Sequence, residues 1–218
     1  MNIKVCGKKP DRAITRMEVV VIVCLVTALA VMLLPALARS GAKKKRSDCV
    51  NNLKTIGISY RVWNTGASGE FPMEVSTIWD GTFEYRETKE VFRHFQALSN
   101  TSIAPKHLIC PADHARSPAA SFDQLQNANL SYFVGLDANE VKPDRFLAGD
   151  RNLTNGTPSP NGILEIQPDT PVGWTAELHD KKGNVCLSDG SVQTWNTEQL
   201  REGLANSGVA TNRLAMPW

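Results

Sequence analysis

Four residues whose side chains can bind a metal ion lie within the short sequence HLICPADH. They are His107, Cys110, Asp113 and His114, and zinc is bound in proteins by imidazole, thiolate and carboxylate groups of this kind. Pro111 interrupts the helix that would bring Cys110 and His114 to one side. The spacing therefore favours a loop that fixes a core or disulfide-bonded cysteine over a zinc site.

A second group of polar side chains lies at the start of the turn-rich segment RNLTNGTPSPNG and includes the residue directly before it. Asp150, Asn152 and Asn155, followed by Gly156, resemble an oxygen-rich calcium loop. The spacing does not fit the EF-hand pattern, and no glutamate stands where that loop needs a bidentate ligand. This segment is therefore predicted to be a turn rather than a calcium site.

The sequence NVCLSDGSVQTW predicts a β-hairpin, because apolar residues alternate on either side of Asp189 and Gly190. These two residues are typical of a type I′-like turn. His179 precedes Asp189 by nine intervening residues. No second ligand stands at a spacing that would bring it to His179, so a hydrogen bond to a nearby strand is favoured over a metal or proton-transfer role.

No signature of catalysis is present elsewhere in the sequence. It contains no Gly-x-Ser-x-Gly motif, no phosphate-binding loop and no pair of carboxylates whose proximity can be inferred. The sequence therefore predicts a protein that is not an enzyme, with no catalytic residue, no cofactor and no metal.

Residues 19–38 form an uncharged apolar run between Glu18 and Arg39. A helix rises about 1.5 Å per residue, so this run spans the hydrocarbon core of a bilayer, which is about 30 Å thick. A secreted form cleaved after Ala38 is an alternative, because Ala36 and Ala38 are small and the preceding residues are basic. The run is longer than a usual signal peptide core, and the basic cluster at 39–46 hinders export, so a transmembrane segment at 19–38 is favoured.

Charge is distributed very unevenly along the chain. Residues 1–46 hold ten basic and two acidic residues, whereas the remainder holds fourteen basic and twenty acidic residues. The basic residues flank the apolar run on both sides and lack interleaved aromatic residues. This pattern favours a membrane-flanking segment over a nucleic-acid-binding surface.

The N-terminal segment resembles the precursors of type IV pilins and type II secretion pseudopilins. These carry a short basic leader, a cleavage site and an apolar helix with glutamate as its fifth residue. Glu18 takes that position if residues 1–13 are the leader and the chain is cut between Ala13 and Ile14. Pro35 then falls 22nd, where many pilin helices also have a proline, and proline kinks a helix.

Both ends of the chain share this resemblance. The stretch LLPALARSGAKKKRSDCVNNLKTIG is similar to prepilin-like proteins abundant in Planctomycetes and Verrucomicrobia, and the combination of His179 with Asp189 and Gly190 is found in many of them. The resemblance implies a filament subunit in the inner membrane, single-pass, with its head in the periplasm or outside the cell. It implies three partners: the membrane, a prepilin peptidase and other pilin-like subunits, one of which would pair its N-terminal amine with Glu18. A membrane-anchored binding protein that does not polymerise is the alternative.

Periodicity indicates how the remaining chain folds. Val50, Leu53, Ile56, Tyr60 and Trp63 recur at intervals of three and four residues, which predicts an amphipathic continuation of the helix. We therefore expect an α+β protein in which a long helix over residues 14–63 packs on a small antiparallel-sheet head over residues 64–218. Further predicted elements are a helix over 87–98, strands within 130–138 and 145–150, and a C-terminal helix at 197–204.

Three of the five cysteines lie beyond the apolar run: Cys49, Cys110 and Cys186. In an exported domain they permit one disulfide and one spare thiol. Each of the three possible pairings is compatible with the sequence.

Overall fold

A computed structural model of the chain describes residues 16–66, 69–154 and 161–218. The chain divides into two compact units, Met1–Lys43 and Lys44–Trp218. The boundary between the two units falls inside the first helix, α1, which extends over Arg16–Gly66.

The first unit contains the apolar half of α1. The segment Arg16–Leu33 is long and apolar enough to cross a membrane, and its side chains are exposed. The helix continues through Pro35 without a break. The prediction of an N-terminal apolar helix is thus confirmed, and by length and composition this helix is compatible with a membrane span or a signal sequence.

The second half of α1 is amphipathic, as the periodicity predicts. Leu53, Ile56 and Tyr60 are fully buried, whereas Lys54 and Ile58 on the opposite side are exposed. Gly57 lies on the buried side, where a Cβ atom would stand only 2.7 Å from the sulfur of Cys186. At this position the absence of a side chain permits a close approach of two chain segments.

The sheet of the second unit has six strands, and every pairing is antiparallel. The strand order is β4-β8-β1-β2-β6-β7, while β3 and β5 form a separate two-stranded pair. An α+β fold with an antiparallel sheet is therefore confirmed. The strands are β1 (Tyr132–Gly135), β2 (Phe146–Asp150), β3 (Leu153–Thr154), β4 (Ile163–Ile166), β5 (Gly173–Trp174), β6 (Lys182–Leu187), β7 (Val192–Asn196) and β8 (Asn212–Ala215).

Successive residues of the central strands enter two different hydrophobic clusters, because side chains alternate between the faces of a sheet. Tyr132 and Val134 belong to the cluster that also contains Leu53, Ile56 and Tyr60. Phe133 lies between them in the chain and belongs to the other cluster. The centre of the sheet is therefore apolar on both faces, which explains why all four residues of β1 are buried.

The remaining helices are short. Helix α2 covers Phe92–Gln96 and continues as a 3-10 turn, so the helix predicted over 87–98 is shorter than expected. The reason lies at its start, where the Thr88 hydroxyl accepts a hydrogen bond from the Glu90 amide and forms a turn instead. Helix α3 covers Thr197–Asn206, as predicted, and the side chain of Asn196 caps it by accepting a hydrogen bond from the Gln199 amide.

The hairpin between β6 and β7 is confirmed, but its turn is not of type I′. That type needs positive φ at both central residues, whereas Gly190, at φ 84°, is the residue of this turn with positive φ. The Gly190 amide donates to the Leu187 carbonyl at 2.9 Å, and the Leu187 amide donates to the Ser191 carbonyl at 2.9 Å. The loop thus has three residues and ends in a left-handed glycine, a common alternative to the two-residue turn.

Candidate functional site

Four polar side chains that are far apart in the sequence lie together inside the second unit. Each offers one potential ligand atom, and these atoms all lie within 4.8 Å of one another. All four side chains are buried, with 6% or less of the residue exposed. This four-residue cluster consists of Cys49, Cys110, Asp150 and His179.

Each member of the four-residue cluster comes from a different part of the fold. Cys49 lies on α1, and Asp150 is the last residue of β2. Cys110 follows the 3-10 turn Pro105–Leu108, and His179 lies in the turn between β5 and β6. The cluster therefore forms only when these four segments are assembled.

Three short contacts connect the cluster. The Cys49 thiol donates a hydrogen bond to Asp150 Oδ1 at 3.0 Å. His179 Nε2 lies 3.3 Å from the Cys110 sulfur and 3.4 Å from Asp150 Oδ2. The imidazole thus stands between a thiol and a carboxylate, while the second thiol contacts the other carboxylate oxygen.

Neighbouring polar groups hold the cluster in place. Asp150 Oδ2 accepts hydrogen bonds from the amide and the side-chain nitrogen of Asn184, at 2.7 and 2.8 Å. Thr194 donates to the Asn184 side-chain oxygen at 2.6 Å, which fixes that amide's orientation. Arg46 donates to the backbone carbonyl of His179 at 2.7 Å. The carboxylate and the imidazole therefore have defined positions.

The two thiols of the cluster differ in acidity. A hydrogen bond with Cys49, together with the nearby His179, lowers the pKa of Cys110 to about 5. Burial raises the pKa of Cys49 well above its ordinary value, and the charge of Asp150 adds to this effect. Cys110 is therefore the more acidic thiol of the pair.

The pKa values of the other two members, Asp150 and His179, are both raised. Burial raises the pKa of Asp150 to about 6. Burial also acts against a charged His179, but its contacts with Cys110 and Asp150 outweigh that effect and raise its pKa. Such a group of thiol, imidazole and carboxylate side chains can bind a metal ion or can store a proton.

The residues of the sequence HLICPADH separate in the structure. His107 Nδ1 accepts a hydrogen bond from the Ala104 amide, and His114 Nε2 lies 3.2 Å from the Lys45 amine. Asp113 forms an ion pair with Arg151. Of the predicted set, Cys110 alone lies in the four-residue cluster. The loop interpretation of this segment is thus confirmed, but the buried cysteine has partners from elsewhere in the chain.

The resemblance to a calcium loop after β2 does not extend to a shared site at Asp150 and Asn152. Asp150 belongs to the four-residue cluster, whereas the Asn152 side chain donates to the carbonyl oxygens of Thr175 and Lys182, both at 3.0 Å. Asn155 and Gly156 lie outside the described residues.

The C-terminal motif has two separate parts. Asp189 and Gly190 form the hairpin turn, in which Asp189 Oδ1 accepts a hydrogen bond from the Ser191 amide at 2.7 Å. His179 instead lies in the four-residue cluster. The structural role predicted for Asp189 and Gly190 is confirmed, and His179 has the second potential ligands that the sequence spacing did not reveal.

The N-terminal site residues belong to the first unit. Ala13 and Ile14, the predicted processing site, lie outside the described residues. Glu18 lies in the first turn of α1, and the helix passes through Pro35. An acidic residue in a first turn stabilises a helix, because the N-terminal end of a helix carries a partial positive charge.

The sequence did not predict that the four residues lie together, nor that Tyr132 and Asn184 are their neighbours. The available signal was the position of a polar side chain directly before apolar strand residues, as in YFVG and NVCL. Comparison with known proteins adds no further assignment. No family model, curated protein or solved structure matches the chain.

Proposed function

We propose that this chain is a pilin-like or pseudopilin-like structural subunit of a type II secretion or type IV pilus-type filament. One observation carries the proposal: a single helix, Arg16–Gly66, begins with an exposed apolar half and continues into an α+β unit with an antiparallel sheet. In such a subunit the apolar half anchors the chain in the inner membrane before assembly and packs against neighbouring helices afterwards.

Exposed apolar side chains in the first unit support this role. Met17, Val31 and Met32 are each more than 70% exposed, and the residues between them are exposed as well and, apart from Glu18 and Thr27, apolar. A contiguous apolar surface of this size needs to be covered by lipid or by other protein. A filament subunit uses both environments in turn.

The position of Glu18 supports a specific assembly contact. Cleavage between Ala13 and Ile14 would create a free amine on Ile14, four residues before the carboxylate. A carboxylate within an apolar helix bundle is costly to desolvate unless it is paired with a positive charge. The new amine of one subunit and Glu18 of the next provide such a pair. Within each subunit, the long helix would pack on the sheet of its own head.

Arg16 supports the alternative of a membrane-anchored binding protein that does not polymerise. This residue begins α1 and places a second charge next to the apolar surface that a filament would bury. In that case residues 1–13 stay attached, and the exported unit would act alone.

The mass of the mature chain tests the proposal. The full chain is expressed in membranes with and without a prepilin peptidase, extracted in detergent and measured intact. We expect loss of residues 1–13 only when the peptidase is present, and faster processing in Ala13→Gly, because the family usually has glycine there. A chain that keeps Met1 with an active peptidase supports the anchored alternative, and a chain that begins at Arg39 supports the secreted one.

Assembly requires a separate measurement. We expect the processed wild-type chain to form crosslinked ladders in the membrane, and we expect Glu18→Leu to be processed but to lose the ladders. Glu18→Asp is the matched control that keeps the carboxylate. Ladders of equal intensity in Glu18→Leu would contradict the assigned contact.

A further inference from the structure

We propose that Cys49, Cys110, Asp150 and His179 form a structural zinc site. Their donor atoms, which are two sulfurs, an imidazole nitrogen and a carboxylate oxygen, lie within 4.8 Å of one another. Zinc in structural sites takes four ligands of these types in a tetrahedron, at about 2.0–2.3 Å. The four-residue cluster supplies the full number of ligands from the protein alone.

The spacing of the donor atoms fits this geometry. Ligand atoms of a tetrahedral zinc site are separated by roughly 3.3–3.8 Å, which follows from the zinc–ligand distances. His179 Nε2 lies 3.3 Å from the Cys110 sulfur and 3.4 Å from an oxygen of Asp150, and the Cys49 sulfur lies 3.0 Å from the other oxygen. The donor atoms lie at most 4.8 Å apart, so binding a common ion requires the four side chains to move closer together.

The donor types select among metals. Calcium and magnesium prefer oxygen ligands throughout, so two thiols and an imidazole exclude them. Copper(I) prefers sulfur ligands and has little affinity for a carboxylate. Two thiolates with an imidazole and a carboxylate form a mixed set that suits zinc.

Burial indicates a structural rather than a catalytic role. Cys49, Cys110 and Asp150 are completely buried, and His179 is 6% exposed. Catalytic zinc sites keep one position open for water or substrate, whereas structural sites have four protein ligands. Here the four protein ligands fill the coordination sphere, and they connect α1, β2 and two loops.

Charge balance supports an ion at this position. A buried carboxylate next to a thiol is costly unless a positive charge compensates it. Zinc with two thiolates, one carboxylate and a neutral imidazole carries a net charge of about −1. The guanidinium of Arg46 donates to the His179 carbonyl at 2.7 Å and so places a positive charge beside one of the four residues.

The surrounding hydrogen bonds are those of a supported metal site. Ligating carboxylates are commonly held by hydrogen bonds from neighbouring groups. Asn184 donates twice to Asp150 Oδ2, and Tyr132 OH lies 3.3 Å from the Cys49 sulfur. Asp150 and Cys49 are therefore oriented before any ion arrives.

Metal content of the full chain tests the site. The chain is purified in detergent without chelator, and its zinc is measured by mass spectrometry of the elements. We expect about one zinc ion per chain. After chelation, addition of cobalt(II) should produce the near-ultraviolet absorption that is typical of thiolate–cobalt bonds.

Variants locate the metal. Cys110→Ser and His179→Ala should reduce the zinc content at least tenfold. Two controls should keep it. Cys186→Ala changes a buried cysteine outside the cluster, and His114→Ala changes a histidine near Cys110 in the sequence. If Cys110→Ser and His179→Ala kept the zinc content of the wild-type chain, the proposal would be overturned, because the ion would then be bound elsewhere.

Alkylation of the cysteines in the wild-type chain tests the zinc site without variants, which can fold poorly. Burial alone slows the alkylation of a thiol, so we expect a chelator to accelerate the alkylation of Cys49 and Cys110 more than that of Cys186, which is equally buried but lies outside the cluster. A disulfide between Cys49 and Cys110, identified by peptide mass, would overturn the proposal. Free thiols with neither zinc nor a cobalt spectrum would overturn it as well.

Discussion

Arg151 and Asp113 form a buried, two-point ion pair. The Arg151 Nε atom donates to Asp113 Oδ2 at 2.6 Å, and its Nη2 atom donates to Asp113 Oδ1 at 2.9 Å. Ser131 donates a further hydrogen bond to Asp113 at 2.8 Å. The carboxylate is thus fully satisfied inside the protein, and Arg151 directly follows Asp150 of the four-residue cluster.

Removing the carboxylate of this pair should destabilise the second unit strongly. Asp113→Asn leaves Arg151 buried with one anionic partner, Glu177, and we expect a loss of about 3 kcal/mol in the free energy of unfolding. All five tryptophans lie within residues 44–218, so tryptophan fluorescence during denaturant unfolding of the full chain reports on this unit. Glu90→Gln is the control, since the exposed pair of Glu90 with Arg93 should contribute about 0.5 kcal/mol or less. Equal effects of the two substitutions would contradict the assignment.

Acidification should destabilise the protein through His94. Burial, together with the charge of Arg86, lowers the pKa of His94 to about 3, whereas a histidine in an unfolded chain titrates near 6.5. Between these values the unfolded chain binds a proton that the folded chain excludes. The contribution of His94 is therefore fully present above about pH 6.5 and is lost as the pH falls towards 3, by up to about 1.4 kcal/mol per pH unit.

The variant His94→Gln isolates this effect. Glutamine does not titrate, and its side chain can replace the 2.7 Å hydrogen bond between His94 Nδ1 and the Thr82 hydroxyl. Unfolding measurements at pH 7 and pH 5 should show a smaller loss of stability in the variant than in the wild type, by about 2 kcal/mol. Identical losses in both chains would show that His94 is not the group responsible.

The hairpin glycine should tolerate asparagine but not valine. Gly190 has φ 84°, in the left-handed region that β-branched residues avoid, and an added Cβ would meet only the flexible side chain of Arg61 at 3.4 Å. Gly190→Val should therefore cost about 1–3 kcal/mol through backbone strain. Gly190→Asn should cost clearly less, because asparagine adopts this conformation more readily. Thermal unfolding of both variants measures the difference, and equal losses would assign the effect to contact rather than to conformation.

Alanine at Gly57 should reveal how closely α1 approaches β6. In an exposed helix this substitution stabilises by about 1 kcal/mol. Here the new Cβ would lie 2.7 Å from the Cys186 sulfur, so we expect destabilisation by about 1–3 kcal/mol. Combining it with Cys186→Ala should recover part of the loss in a double-mutant cycle. A stabilising Gly57→Ala would contradict the close approach.

The second unit should fold without the apolar half of α1. The boundary between the two compact units lies between Lys43 and Lys44, and the net charge of the sequence changes sharply near the same point. We expect residues 44–218 to be soluble and to melt cooperatively. Aggregated material without a cooperative transition would contradict this prediction.

Local patterns in the sequence predicted the elements that have strong periodicity or clear turn chemistry. The helix stripe at Leu53, Ile56 and Tyr60, the hairpin at Asp189 and the helix that begins at Thr197 belong to this class. Strands β4 and β8 were missed because, unlike the four-residue strand β1, neither lies within a longer predominantly apolar stretch of sequence. The sheet order was also missed, since β1 pairs with β8 across most of the unit.

Local sequence patterns also fail to predict the four-residue cluster. Cys49, Cys110, Asp150 and His179 each stand out in the sequence as individual residues. Their convergence depends on the pairing of β2 with β6 and on the turn that follows β5, which no local spacing encodes. A metal site built from neighbouring residues can be recognised by its spacing, whereas one built from four distant segments cannot.

The interleaved order of the cluster along the chain determines when it can form during biogenesis. Cys49 meets Asp150 across 101 positions, and Cys110 meets His179 across 69 positions, so neither contact exists until most of the second unit has been synthesised. Long-range contacts of this kind form late in folding, because their loops must first be closed. An exported chain would therefore cross the membrane with its thiols separated and would bring them together only on the far side. The cluster would then mark a chain that has finished folding after export.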